Sequence, residues 1–409
     1  MKLQGKLNPL APARGLHIPL IAFLVDKLGY PDKTSPSDLT KGMKITGTIA
    51  PSHVLAPRKT PAIRKFASLR TGMRARHTRI LRSLEGSKKP LLRSKRWELS
   101  QVGHEKGRLS KPLHVKKHDF SNTILSPRFC ISEQNGLQEQ KFKAIDDMSR
   151  SDVNAKAHMA DTYSPQDLDT LVAQVRALSH VGAVDLRDWS VDFPNAYKTI
   201  ASHETSNEAA TICFAKPTDN RPYKAHILVQ PFGSRREPEN WGRVATFIQF
   251  LARELLALSV SAFVDDVFSA EPAATATSGF WAFKTLSQLI GFLTSDKKGQ
   301  QPATSLLLLG AQVSIGKFSF EAAATPERVE KIRGHIAQAL QTDALTPAAS
   351  SKLRGELGFY TSLLAGKIGR GMMWPLIARQ YWPKYRPLNG ELRRNLSRWY
   401  AAIGSTFVV

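Results

Sequence analysis

The chain has 409 residues, of which 42% are hydrophobic and 22% are charged. These values are ordinary for globular proteins and exclude a chain that is disordered throughout. The longest apolar run, Ile18 to Val25, is far shorter than the ~18 residues that a membrane-spanning helix needs, so we expect a soluble protein. The two cysteines, Cys130 and Cys213, exclude a disulfide framework and a cysteine-rich zinc site, and they fit an intracellular, reducing compartment such as the cytoplasm or nucleus.

The net charge of +24 is concentrated at the start of the chain. Residues 1–120 carry 26 Lys and Arg against 7 Asp and Glu, whereas the remaining 289 residues carry 32 against 27. Such a one-signed field favours a polyanionic partner, most simply nucleic acid, although a solvated basic tail or a targeting segment has the same composition. The densest stretch contains no acid, and its side chains are the predicted nucleic-acid contacts: Arg58, Lys59, Arg64, Lys65, Arg70, Arg74, Arg76, Arg79 and Arg82.

Prolines interrupt residues 1–120 so often that we expect this basic region to be mostly disordered. One short helix is predicted from Ile18 to Leu28, where Gly29 ends it. A second helix is predicted between Thr60 and Leu84, weakened by repulsion among the Lys and Arg residues of its polar face.

From about residue 120 onward, strand patterns alternate with amphipathic helix patterns, which predicts an α+β fold. Apolar residues from Val244 to Leu258 recur every three or four positions, which predicts a helix that begins at Asn240. Two apolar strands between Val260 and Phe268 meet at an acidic pair, which predicts a hairpin. Further predicted elements are a strand at 189–193, a helix at 280–293, a buried strand at 306–309, and helices that begin at Thr325-Pro326 and Thr346-Pro347.

The acidic pair Asp265-Asp266 is the feature with the clearest chemical meaning. Two adjacent carboxylates at the tip of an apolar hairpin repel each other unless a cation binds between them, although a solvated turn is the simpler interpretation of the pair alone. A third acid, Asp192, ends another predicted strand. Oxygen ligands from separate strands, in a basic protein, are what a Mg²⁺-assisted phosphoryl-transfer site needs.

Seven motifs occur in an order that makes this interpretation specific. They are KFKAIDD at 141–147, DFPNAY at 192–197, FG at 232–233 followed by Pro238 and Trp241, FVDD at 263–266, KK at 297–298 followed by LG at 309–310, TPERVEKI at 325–332 and LRGELGFY at 353–360. Over residues 120–400 they resemble the reverse transcriptases of retrotransposons, of the LTR or tyrosine-recombinase type.

The resemblance implies an α+β right-hand polymerase behind the basic region. Residues 1–120 would be the basic, mostly disordered region, 121–322 the fingers and palm, and 323–409 the thumb and connection. The implied activity is RNA-directed DNA synthesis for a mobile element, with an RNA template, a DNA primer and dNTPs as partners. The alternative is a catalytically inactive remnant of such an element that only binds nucleic acid.

The resemblance also implies roles for individual residues at the metal centre. Asp192 and Asp265 would bind two Mg²⁺ ions, for which Mn²⁺ is a possible substitute, and Asp266 would assist at one of them. Either Lys297 or Lys298 would be the general acid that protonates the leaving pyrophosphate.

Three further residues are implied to contact the nucleotide. Lys143 would bind the triphosphate, and Tyr197 would lie under the sugar and exclude a ribose 2′-hydroxyl. Gly233 would let the template and nucleotide approach the backbone closely. Taken singly, Tyr197 also fits a core aromatic residue and Gly233 also fits an ordinary turn.

Overall fold

A computed structural model of the chain describes residues 15–58, 70–85, 89–116, 123–133, 140–182, 185–317, 319–363, 365–381, 387–404 and 407–408. These residues form a mixed α and β structure with two compact units, each assembled from segments that are distant in sequence. The first unit comprises Met1–Pro165, Phe193–Leu255 and Thr285–Thr294, and the second comprises Gln166–Asp192, Leu256–Lys284 and Ser295–Val409. No helix in the described part of the chain is long and apolar enough to cross a membrane.

Helices and strands are numbered here in chain order. The helices are α1 Ile18–Lys27, α2 Ser35–Lys41, α3 Met73–Glu85, α4 Pro90–Glu105, α5 Leu168–His180, α6 Glu237–Leu256, α7 Ala273–Leu289, α8 Pro326–Gln341, α9 Pro347–Leu363, α10 Trp374–Gln380 and α11 Gly390–Ala402. The strands are β1 Ala56–Pro57, β2 Leu113–His114, β3 Leu125–Glu133, β4 Lys141–Asp146, β5 Asp161–Thr162, β6 Leu186–Asp192, β7 Thr211–Ala215, β8 Pro222–His226, β9 Ser261–Phe263, β10 Asp266–Pro272, β11 Gln300–Ala303, β12 Ser305–Leu308, β13 Ala311–Ile315, β14 Phe320–Ala324 and β15 Phe407–Val408.

The first unit contains a five-stranded sheet with the strand order β2-β8-β7-β3-β4. β3 and β7 are parallel, and the other neighbouring strands are antiparallel. α3 and α4 contact β3 and β7. The core of this unit includes the fully buried side chains of Ile124, Ile212 and Phe214. Burial of this apolar surface is what drives the helices onto the sheet.

The expectation that residues 1–120 are mostly disordered is wrong for the described parts of that region, which contain α1 to α4. A proline occupies the first turn of α1, α2 and α4, where its missing N–H costs no hydrogen bond, so these prolines begin helices rather than break them. α1 confirms the predicted short helix. α3 buries Met73, Ile80 and Leu84, and the free energy of that burial outweighs the repulsion among its arginines.

The second unit contains two antiparallel sheets with the strand orders β11-β6-β10-β9 and β12-β13-β14-β15. One apolar core joins α5, β10, the second sheet and the C-terminal helices α8, α9 and α11. Ile336, Leu357 and Trp399 are fully buried in this core. On the first sheet, the Trp189 ring contacts the rings of Phe280 and Phe283 from α7. The sheet that carries the predicted acids is therefore held by packed aromatic and aliphatic side chains.

Several predicted elements are confirmed, with shifted boundaries in places. The hairpin of β9 and β10 forms as predicted, and α8 and α9 begin at Pro326 and Pro347. α6 begins three residues before Asn240, because a proline and two glutamates fit the first turn of a helix. The strand predicted as buried at 306–309 is β12, which is only half-buried, since Leu307 is 48% exposed.

The two compact units divide the chain differently from the predicted order of 1–120, 121–322 and 323–409. The strands β6, β9 and β10 share a unit with residues 295–409, whereas β3 and β4 share a unit with α1 to α4. Pairing between strands that are distant in sequence decides this division. The local amino-acid composition does not reveal such pairing.

Candidate active site

A cleft of about 850 Å³ in the second unit contains the acidic residues that the sequence predicted to act together. Asp192, Asp265 and Asp266 line it, and so does Lys298. Its other lining residues are mixed in character, and they include the acidic Asp167, the polar Ser190 and Gln300, the apolar Phe263, Leu307 and Phe359, and the basic Arg328.

Strand pairing brings two of the acids together. β6 ends at Asp192 and β10 begins at Asp266, and these residues are cross-strand partners in the antiparallel sheet. Directly opposed side chains on one sheet face have Cβ atoms about 4.5–5.5 Å apart. Like charges in this position repel each other, so a cation placed between the two carboxylates would be stabilising.

The third acid, Asp265, lies in a strained turn and lines the same cleft. Asp266 pairs with Phe263, so Val264 and Asp265 form a two-residue hairpin turn. The φ angle of Val264 is 59°, a left-handed conformation that is unfavourable for a β-branched residue. Strain of this kind costs about 1–3 kcal/mol and is concentrated at functional sites. The turn therefore holds Asp265 at the tip of the hairpin at a cost in backbone strain.

The strand that follows the acids brings a lysine to them. Gln300 of β11 pairs with Ser190 of the antiparallel β6, so Lys298, two residues earlier, comes level with Asp192. Lys298 Nζ donates a hydrogen bond to Asp192 Oδ1 at 2.9 Å. The Ser295 N–H donates to the Asp192 carbonyl, also at 2.9 Å, and holds the turn before β11 at the end of β6.

Burial and neighbouring charges shift the pKa values of two groups in the cleft, Asp266 and Lys298. The Asp192 side chain is only 7% exposed, and its Oδ2 atom has no hydrogen-bond partner among the described residues. Burial, together with the charges of Asp265 and Asp192, raises the pKa of Asp266 to about 6. The hydrogen bond to Asp192 raises the pKa of Lys298 above its ordinary value, so this amine is protonated at neutral pH.

The donor set fits a hard divalent cation. Mg²⁺ is usually held by one or two carboxylates together with waters and substrate phosphates. Asp192 and Asp266 form such a pair, and Asp192 Oδ2 is a buried oxygen that lacks a partner within the described structure. Over the described ranges, no group of three or more His, Cys, Asp or Glu side chains is arranged to hold a metal ion. Asp192 and Asp266 therefore supply oxygen donors of the kind that such an ion takes.

The two lysines that the sequence could not separate have different positions. Lys298 lines the cleft and contacts Asp192, whereas Lys297 is exposed and does not line the cleft. Of the pair, only Lys298 has the geometry for a role at the acids.

The predicted nucleotide contacts Lys143, Tyr197 and Gly233 belong to the first unit. Lys143 lies on β4. Tyr197 lies in a short 3₁₀ helix, Ala196–Thr199, and its ring meets the Trp241 ring edge-on at a centroid distance of 6.4 Å. The roles of these three residues toward a nucleotide stay predictions.

Gly233 is required by the protein itself. Its φ angle is +128°, and a Cβ atom there would lie 2.1 Å from the carbonyl oxygen of Asp146. The Asp146 N–H also donates to the Phe232 carbonyl at 2.9 Å, and Asp146 forms a buried ion pair with Arg128 at 2.7 Å. The need for glycine at this position therefore has a local cause, independent of any template or nucleotide.

The predicted nucleic-acid contacts fall into three groups. Lys59, Arg64 and Lys65 lie outside the described residues. Three further residues are ion-paired or half-buried. Arg70 pairs with Glu208 at 3.1 Å and Arg76 with Asp152 at 2.9 Å, both within the first unit, and Arg58 is half-buried. The remaining three are exposed on α3 and have no acidic partner in the described part of the chain: Arg74, Arg79 and Arg82.

One cationic feature of the cleft was missed by the sequence analysis. The Arg328 guanidinium carbon lies 3.7 Å from the centroid of the Phe359 ring, and Nη1 donates to the Gly310 carbonyl at 3.5 Å. All three residues line the cleft. Each lies in a motif that the sequence analysis identified, but the stacking of one motif on another depends on the packing of α8 against α9.

No protein-family model matches the chain, and a search of curated proteins found no detectable relative.

Proposed function

We propose that this chain is an RNA-directed DNA polymerase of a mobile genetic element, with the right-hand arrangement of fingers, palm and thumb. It would add dNTPs to a primer 3′-hydroxyl on an RNA template. The observation that carries the proposal is the meeting of Asp192 with Asp265 and Asp266 in one cleft of the second unit. These acids come from two separate polymerase-like motifs, and a strained hairpin presents one of them.

The residues of the cleft divide the chemistry between them. The primer 3′-hydroxyl loses its proton to solvent as its oxygen attacks the α-phosphorus of the dNTP, and the bond between the α-phosphorus and the α,β-bridging oxygen breaks to release pyrophosphate. Bound Mg²⁺ would supply charge stabilisation for the attacking and leaving oxygens. Asp192, Asp265 and Asp266 would hold the ions. Lys298, an ammonium group in the same cleft, is the group available to give a proton to the leaving pyrophosphate.

Two cationic features suit the polyanionic substrates. Arg328, stacked on Phe359, presents a guanidinium to the cleft, and guanidinium groups bind phosphates with defined geometry. The exposed arginines of α3 supply a sequence-independent attraction for nucleic acid.

The proposal is tested by primer extension with the purified full-length chain. A labelled DNA primer annealed to RNA is incubated with the four dNTPs and Mg²⁺, then with Mn²⁺, with EDTA and a DNA template as controls. We expect extension on RNA that EDTA abolishes. Binding of the primer–template without extension under either metal would reject the polymerase and favour the inactive, nucleic-acid-binding remnant.

A further inference from the structure

We propose that Lys298 is the internal counter-ion of the acidic cleft and that it competes with divalent cations for Asp192. The inference rests on the proposed function, because it concerns the same carboxylates. It goes further in stating how their charge is balanced and what a metal ion must displace.

The contact between the two side chains is asymmetric. Asp192 is nearly buried, at 7% exposure, whereas the Lys298 side chain is 61% exposed. A flexible side chain that is mostly in solvent thus reaches into the cleft and places its ammonium 2.9 Å from Asp192 Oδ1. Withdrawing this ammonium requires rotation of a solvated stem and no rearrangement of the core.

The charges of the cleft explain why the ammonium occupies this position. Asp192, Asp265 and Asp266 all line the cleft, and Lys298 donates a hydrogen bond to Asp192. The positive charge relieves the repulsion between the cross-strand partners Asp192 and Asp266. A divalent cation on either carboxyl oxygen of Asp192 would lie close to the ammonium that is bound to Oδ1, and two cations repel each other at that range.

Competition has a consequence for the reaction. A cation held by Asp192 would weaken the attraction of this carboxylate for Lys298, and the position of Lys298 two residues before β11 would keep its ammonium beside the cleft. The ammonium would then be available to the phosphates of a bound substrate. Metal binding and the delivery of the proton donor would therefore be coupled through one side chain.

The test measures Mn²⁺ binding in the absence of nucleic acid and dNTP, so that it does not depend on activity. Free Mn²⁺ is quantified by electron paramagnetic resonance during titration of EDTA-treated, dialysed full-length protein. Lys298→Met keeps the length of the side chain and removes its charge, and we expect it to bind Mn²⁺ roughly three- to tenfold more tightly than wild type. Lys297→Met removes the same charge from the adjacent exposed position and should leave the affinity nearly unchanged.

A second measurement covers the metal-free protein. In EDTA, Lys298→Met should melt at a lower temperature than Lys297→Met, because its carboxylates lack their counter-ion. Added Mn²⁺ should raise the melting temperature of Lys298→Met more than that of Lys297→Met. Lys298→Arg, which keeps the charge, should remain close to wild type in both assays.

The outcomes separate this inference from the proposed function. Equal Mn²⁺ affinity and equal melting of the Lys297→Met and Lys298→Met proteins would overturn the counter-ion role and leave the metal site intact. Mn²⁺ binding that is absent in wild type, or unaffected by Asp192→Asn, would also overturn the counter-ion role, because no ion would then compete with Lys298 for Asp192, whereas primer extension tests the proposed function separately.

Discussion

At the scale of single residues, Asp188 and Asp192 show how surroundings decide the behaviour of one side-chain type. They lie four positions apart on the same face of β6. Asp192 lines the cleft and accepts a hydrogen bond from Lys298. Asp188 is 1% exposed, and neither of its carboxyl oxygens has a hydrogen-bond partner among the described residues. Burial raises the pKa of Asp188 to about 8, so at neutral pH this group is mostly a neutral acid.

This difference predicts a pH-dependent stability. The pKa of Asp188 is higher in the folded than in the unfolded chain. Its stabilising contribution to the free energy of unfolding is therefore complete below about pH 4 and is lost as pH rises toward 8. Asn cannot ionise, so Asp188→Asn should remove this loss. The loss amounts to at most about 1.4 kcal/mol per pH unit.

Thermal melts from pH 4 to 9 check the expectation. The melting temperature of Asp188→Asn relative to wild type should rise with pH, and the rise should level off above pH 8. Glu321→Gln, which changes an exposed acid on β14, should show no such trend. Parallel melting curves for Asp188→Asn and wild type at all pH values would show that burial does not hold Asp188 neutral.

At the scale of secondary-structure elements, α3 combines a structural face with a charged face. Met73, Ile80 and Leu84 are buried against the cores of the first unit. The arginines of the same helix project outward, and the structure divides them by their partners. Arg76 is neutralised by Asp152, whereas Arg74 and Arg79 are exposed without an acidic partner in the described structure. Exposed guanidinium groups are the ones that can bind phosphates.

This division predicts which arginines contribute to nucleic-acid binding. Replacing Arg74, Arg79 and Arg82 together by Gln should weaken binding and lower the slope of log affinity against log salt by ~0.7–0.9 for each phosphate that the variant no longer binds. The control replaces the ion-paired and half-buried Arg76 by Gln and should change that slope little. Fluorescence anisotropy at several salt concentrations measures both. Equal slopes for the triple variant and wild type would assign phosphate binding to other residues.

The elements that the sequence predicted well are those with local signals. The β9–β10 hairpin combines two apolar strands with an acidic turn, and α8 begins with Thr325 followed by a proline. Prolines caused the main errors, because the same residue that breaks a helix interior also suits its first turn. A prediction from the number of prolines alone therefore underestimated the order of residues 15–58 and 89–116.

At the scale of the whole molecule, the candidate site is built from three segments of the second unit. Asp192 comes from Gln166–Asp192, the acidic pair from Leu256–Lys284, and Lys298 from Ser295–Val409. The acids could be predicted from the sequence because Asp192 ends a recognisable strand and Asp265-Asp266 lie at the turn of a recognisable hairpin. The choice of Lys298 over Lys297 could not, because it depends on the register of β11 against β6. The stacking of Arg328 on Phe359 depends on helix packing in the same way.

The central claim is that Asp192, Asp265 and Asp266 form one metal-dependent polymerase centre. The most direct measurement is single-nucleotide incorporation on an RNA template by wild type, Asp265→Asn and the control Glu321→Gln, with primer–template affinity measured alongside. Asp265→Asn should lose at least about 100-fold in the incorporation rate, since an ion held in the transition state supplies several kcal/mol, while affinity stays within a few-fold. Glu321→Gln should match wild type in both. An Asp265→Asn protein that incorporates nucleotides at the wild-type rate would contradict the account.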